Sequence, residues 1–157
     1  MKLIKAVGDQ LVFKISKREQ RILLEVLKFY PVMPARYQPL SKGASPAVTE
    51  ETQRLLDEAL AEQRRQNRTQ LDVMLKDAQR FREHEDGYRF TLNAGQTEWL
   101  LQVLNDVRVG SWLILGSPDE QHGKPIKLTD RNSQYLWAME MGGYFQSRFL
   151  EALERGA

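Results

Sequence analysis

The chain contains no cysteine. Disulfides, cysteine-bound metals, thiol catalysis and thiol redox sensing are therefore excluded. Histidine is scarce, with His84 and His122 the only two. His84 sits in the hydrophilic run Glu83-His84-Glu85-Asp86, read as the solvated end of a helix, and His122 sits in a polar loop beside Asp119, Glu120 and Lys124. Neither has the neighbours a metal site needs. No apolar run approaches the roughly 18 residues of a membrane span. The opening MKLIKAVGDQLVF has no secretory apolar core, because Lys5, Gly8, Asp9 and Gln10 interrupt it. A cytoplasmic protein with no membrane partner is expected. No phosphate-binding glycine loop, nucleophile elbow, paired-histidine motif or dinucleotide fingerprint occurs. No catalytic residue, metal or cofactor is expected, and the chain reads as a non-enzyme.

What is present is ordinary for a soluble protein: 157 residues, 41% hydrophobic and 28% charged. That length suits a single domain, residues 1–157, burying about 70% of its unfolded surface. The net charge of +2 conceals an asymmetry. Residues 1–48 carry nine Lys/Arg against three Asp/Glu, whereas residues 49–86 carry seven against ten. Lys17, Arg21 and Lys28 fall near one helical stripe, with Arg18 beside it and Glu25 interrupting it. This basic patch is a candidate contact for nucleic acid or an acidic partner, against the plainer reading of a solvated helix back.

One motif is written twice. FKISKREQRILLEVL (13–27) and FTLNAGQTEWLLQVL (90–104) align without a gap at an offset of 77. Identities fall at Phe13/Phe90, Leu23/Leu100, Leu24/Leu101, Val26/Val103 and Leu27/Leu104. Ser16 and Asn93 are good N-caps, and Glu19 and Gln96 stand three residues later, where a side chain reaches back to the cap's own N–H. Each copy reads as a strand turning into a capped helix.

The remaining pattern predicts a hairpin of 2–7 and 11–15 around Gly8-Asp9, then a helix over 17–30 stopped by Pro31 and Pro34. Residues 31–48 form a Pro/Gly/Ser-rich connection. Nearly forty residues without Gly or Pro follow from Thr49. Their apolar faces, Leu55-Leu56-Ala59-Leu60 and Leu71-Met74-Leu75-Ala78-Phe81, are separated by the polar AEQRRQNRTQ. Two helices divided near Asn67–Thr69 are preferred, with one continuous, solvent-bridging helix as the alternative; such an arm would reach a second subunit. A strand over 88–92, a helix from Ala94 to about 115, a loop over 116–130 and a last helix over 131–154 complete the chain. Gly142-Gly143 in that helix suggests close approach to a neighbour, with a kink as the alternative. The expected fold is α+β and mainly α, with about five helices on a small antiparallel sheet and a repeated strand-helix unit.

Asn105, Asp106 and Arg108 interrupt an otherwise apolar helix and form a candidate polar cluster, either a recognition pocket or a structural network. Trp99, Trp112, Trp137, Tyr135, Tyr144, Phe145 and Phe149 lie on the last two helices. At such spacing they are read as core, and any exposed together would mark an interaction surface.

The segment RFTLNAGQTEWLLQVLNDVRVGSWLILG resembles a bacterial domain-of-unknown-function family often encoded beside the ClpS adaptor of the Clp protease. The likeness rests on Trp99-Leu100, Leu104-Asn105-Asp106-Val107-Arg108 and Tyr135 with Trp137. The opening VFKISKREQRILLEVL is similar to that family's start, while the middle helices and long loops agree only in type. The absence of cysteine prevents any thiol-based role from carrying over. The resemblance implies a non-enzymatic regulatory or adaptor-like protein acting through protein contacts and linked to Clp-type proteolysis. It supplies no catalytic residues. Nucleic-acid binding through the basic N-terminal helix is the alternative, and homo-oligomer formation is left open.

Overall fold

The computed structural model describes residues 1–32, 46–118 and 126–156, with the backbone alone described at 46–49 and Gly156. Four strands and four helices follow one another: β1 (Lys2–Val7), β2 (Gln10–Ser16), α1 (Lys17–Leu27), α2 (Pro46–Lys76), β3 (Phe81–His84), β4 (Gly87–Asn93), α3 (Ala94–Ile114) and α4 (Ser133–Gly156). The strands form one antiparallel sheet in the order β1-β2-β4-β3.

The repeat organises this sheet. β2 and β4, its two central strands, pair so that Phe13 faces Phe90, its own repeat counterpart. A pseudo-two-fold axis normal to the sheet therefore passes between these two residues. The duplication extends back through the hairpins, because β3 lies opposite β1 at the same offset. Gly8 and Glu85, one offset apart in the two hairpin turns, both have left-handed backbone, with φ of +58° and +54°. In element order the chain runs ββαα twice.

Both capping boxes form. The Glu19 N–H donates to Ser16 Oγ at 3.0 Å, and the Ser16 N–H donates to Glu19 Oε1 at 3.4 Å. The Gln96 N–H donates to Asn93 Oδ1 at 2.7 Å, and the Asn93 N–H donates to Gln96 Oε1 at 2.9 Å. These bonds satisfy donors that the first helical turn leaves without partners. Arg80 braces the second box from outside, donating to Thr91 O at 2.8 Å and to Gln96 Oε1 at 3.4 Å.

Alternation along β2 and β4 sends Phe13, Ile15, Phe90 and Leu92 to one face, where all are fully buried. Leu23, Val26 and Leu27 of α1 and Leu100, Val103, Leu104 and Val107 of α3 close over them. α4 packs across α3 and α1. Its Phe149 meets Phe13 edge-on at 5.3 Å between ring centroids and Phe90 at 6.4 Å, so it joins the two copies at the axis.

Three expectations are corrected. Among the described residues there are four helices instead of about five, because residues 46–76 form one continuous helix. Its polar middle holds without an apolar stripe through pairs one turn apart, Glu62 with Arg65 and Gln66, Gln63 with Asn67, and Arg68 with Asp72. Its interior also contains no Gly or Pro to break it. Arg68 reaches back to the carbonyls of Leu27 (3.0 Å) and Tyr30 (3.3 Å) at the end of α1, so the segment meant to divide α2 docks it instead. The helix ends where the Asp77 carboxylate accepts the Gln79 N–H at 2.9 Å. The second correction is β3: residues 81–84 pair with β4 and do not continue a helix. α2 also starts at Pro46, inside the segment read as connection, while 33–45 lie outside the described residues. Among the described residues, no helix is long and apolar enough to cross a membrane.

Candidate functional site

The polar cluster on α3 is divided by the helix itself, since adjacent residues diverge by about 100°. Asn105 and Arg108 share the side toward α4. Arg108 donates to Asn105 Oδ1 at 3.3 Å, and Gln146 of α4 donates to the same oxygen at 3.4 Å and to Leu101 O at 3.5 Å. Asn105 thus ties α3 to α4, which is the structural alternative for this cluster.

Asp106 turns elsewhere. Although it keeps contact with solvent, burial pushes its carboxyl above the ordinary range, and the nearby Arg64 guanidinium of α2 opposes the shift. The neighbouring contacts are structural too. Asn67 donates to the Tyr30 hydroxyl at 3.0 Å, and the Trp99 indole donates to Asn67 Oδ1 at 3.2 Å. Burial raises the Tyr30 hydroxyl despite the opposing Asn67 bond. The three residues of the cluster therefore do not converge on one pocket.

A groove of about 410 Å³ runs between α3 and α4, lined by Arg108, Val109, Trp112, Met139, Glu140 and Gly143. Its lining offers one cation, Arg108, and one carboxylate, Glu140. The glycine pair of α4 is not required by close approach: an added Cβ at Gly142 would lie 3.6 Å from Leu104 O, and one at Gly143 3.9 Å from Arg108 Cδ, both ordinary contacts.

The basic patch is reduced to three members. Lys17, Arg18 and Arg21 are exposed, with no ion-pair partner among the described residues. Lys28 is taken by Glu25 at 2.6 Å. Of the histidines, His84 lies on β3 opposite Gly87 instead of at a helix end, and His122 is outside the described residues. Among the described residues, no group of three or more His, Asp or Glu is placed to hold a metal ion.

The aromatic residues separate into two sets. Phe145 and Phe149 are fully buried, as core should be. Tyr135 and Trp137, at the start of α4, instead gather around Phe29, which follows α1, with ring centroids 5.9 and 6.2 Å from it. Trp137 is 37% exposed, and Phe29 and Tyr135 are half-buried. Beside them opens a notch of about 410 Å³, lined by Glu25, Lys28, Phe29, Pro31, Val32, Gln134 and Tyr135. Phe29 was missed because it ends the apolar stripe of α1 and only the docking of α4 brings it to Tyr135. No protein family, curated protein or solved structure matches the chain.

Proposed function

We propose that the protein is a non-enzymatic regulatory or adaptor-like protein that binds a protein partner at the notch lined by Phe29 and Tyr135, with Trp137 packed beside it. The observation that carries this reading is the clustering of three incompletely buried aromatics where two helices meet. Aromatic side chains supply large contact area at low conformational cost and are enriched at the centres of interfaces. The Glu25–Lys28 pair at the rim provides polar contacts around an apolar anchor. A segment inserting one apolar side chain suits such a notch.

The family resemblance makes Clp-type proteolysis the process in which to look. In a reconstituted Clp degradation assay, the wild-type protein should change substrate turnover at least about twofold, and Phe29→Ala with Trp137→Ala should abolish the change. Unchanged turnover, together with no partner whose capture depends on these aromatics, refutes the reading.

Nucleic-acid binding is the second reading, favoured on α1 by the three exposed and unpaired cations Lys17, Arg18 and Arg21. A salt-sensitive gel shift that survives their neutralisation would remove α1 as the contact.

A further inference from the structure

The face of the sheet opposite Phe13 and Phe90 carries charge that no single segment reveals. Lys2 pairs with Lys14, Lys14 with Arg89, and Arg89 with Arg82, a straight register line across all four strands with a cation at every position. Lys5 lies in the adjacent line, paired with Val12, which pairs with Thr91. Like charges directly opposite across strands destabilise a sheet. Relief is partial: Lys14 pairs with Glu85, and Arg82 donates to Gln79. Lys5, Arg82 and Arg89 have no acid within ion-pair distance among the described residues.

These three cations line a shallow depression of about 730 Å³, together with Ile4, Val12, Gln79 and Thr91. A bulge in β1 helps to shape it. The register passes from Leu3 opposite Phe13 to Lys5 opposite Val12, leaving Ile4 without a partner and 41% exposed. The result is an apolar floor between cations, on a strip about 14 Å wide given about 4.8 Å between strands.

We propose that this open face binds a single-stranded nucleic acid, with Lys5, Arg82 and Arg89 on its phosphodiester backbone and Ile4, Val12 and Thr91 beneath its sugars and bases. A line of cations at strand spacing complements a polyanion with regularly repeated charge, and arginine forks match phosphate oxygens in pairs. The apolar floor and the one-strand width favour a single strand over a duplex. The depression contains no aromatic platform for stacking, so binding is governed by backbone charge and is indifferent to sequence. This site is independent of the aromatic notch.

The test is fluorescence anisotropy with labelled 20-nucleotide mixed-sequence DNA and RNA strands over a salt series. The Lys5→Gln/Arg82→Gln/Arg89→Gln variant should bind at least about tenfold more weakly near 0.1 M salt, and the slope of log affinity against log salt should become shallower by about two. Lys5→Gln alone, on an edge strand, should give part of this loss, about two- to threefold. Lys17→Gln/Arg18→Gln/Arg21→Gln removes equal charge from α1 and should change affinity less than twofold. Matching thermal melts establish that both triple variants are folded. The proposal is overturned by absence of salt-dependent binding in the wild type, or by equal losses in the two triple variants. Equal competition by a duplex, or displacement by polyglutamate at equal charge, would also overturn it. Loss of the Clp effect in Phe29→Ala/Trp137→Ala leaves this measurement unaffected, so the two readings fail separately.

Discussion

Phe149 is where the structure makes its strongest claim about packing. The residue is fully buried and touches Phe13 and Phe90, one from each copy of the repeat. Phe149→Ala removes a ring from the place where the two copies and α4 meet, and the cavity is enclosed by the sheet and two helices that cannot all move in. Loss of transfer energy plus a persistent cavity costs about 3–5 kcal/mol for Phe→Ala. The edge-on aromatic contacts, about 0.5–1.5 kcal/mol each, place the expectation in the upper part of that range. Against a total stability of about 5–15 kcal/mol, this is a large fraction. With a urea m-value of about 2 kcal/mol per molar, the unfolding midpoint should fall by about 2–2.5 M without a change in m. Tryptophan fluorescence follows the transition, because Trp99, Trp112 and Trp137 lie on α3 and α4. Leu150→Ala, one residue on but 50% exposed, should move the midpoint by less than about 0.5 M. Equal shifts in the two variants would refute the placement of α4 against the axis.

Four further expectations can be checked in the same assay or by thermal melting. Gly87→Ala should destabilise by about 1–3 kcal/mol, since an added Cβ would lie 2.4 Å from Ile15 O on the neighbouring strand, whereas Gly142→Ala meets only ordinary contacts and should be neutral or gain up to about 1 kcal/mol. Ser16→Ala and Asn93→Ala should each cost about 1 kcal/mol through loss of a helix cap. Glu85→Gly should change stability by less than about 1 kcal/mol, because relief of left-handed backbone is offset by loss of the exposed contacts to Lys14 and His84. Asp106→Asn should stabilise the protein at neutral pH: a carboxyl raised in the folded state disfavours folding when ionised, so the gain should shrink as pH falls through that raised value and vanish below the unfolded value near 3.8, and a gain independent of pH would contradict it.

The parts of this fold that were legible before the structure are those with local chemistry. A hydroxyl or amide followed three residues later by Glu or Gln specifies a helix start within four residues, and both such starts form. The hairpin around Gly8-Asp9 was legible for the same reason. β3 was not, because Phe-Arg-Glu-His follows a long helix-forming run in which Asp77, whose side chain makes the turn that ends α2, reads as one more charged helical position. The signal was present in the offset of 77, which places 79–84 opposite 2–7, but the two strands share little composition. The division of α2 failed because an apolar gap was read as a break. Its Arg68 and Asn67 instead spend their polar groups on the end of α1, on Tyr30 and on Trp99. The cation line was invisible in principle, since positions 2, 14, 82 and 89 become neighbours only through strand register.

The two copies differ unevenly, and the axis explains where. On the inner face Phe13 and Phe90 are each other's neighbours as well as counterparts, so a change in one alters the packing of the other. Their identity follows from that mutual dependence. The outer face imposes no such condition, and there Val12 stands at the counterpart position of Arg89, and Lys14 at that of Thr91. Lys5 and Arg82 are the exception: counterparts on opposite edge strands, both cationic, both unpaired with acid, and both lining the same depression. Packing gives no reason for a cation at both positions, since each is exposed. A ligand crossing the axis would meet one at each end of its path. The strand-helix corner is thus retained where the halves support each other, and the outer face keeps its charge where a common ligand would span them.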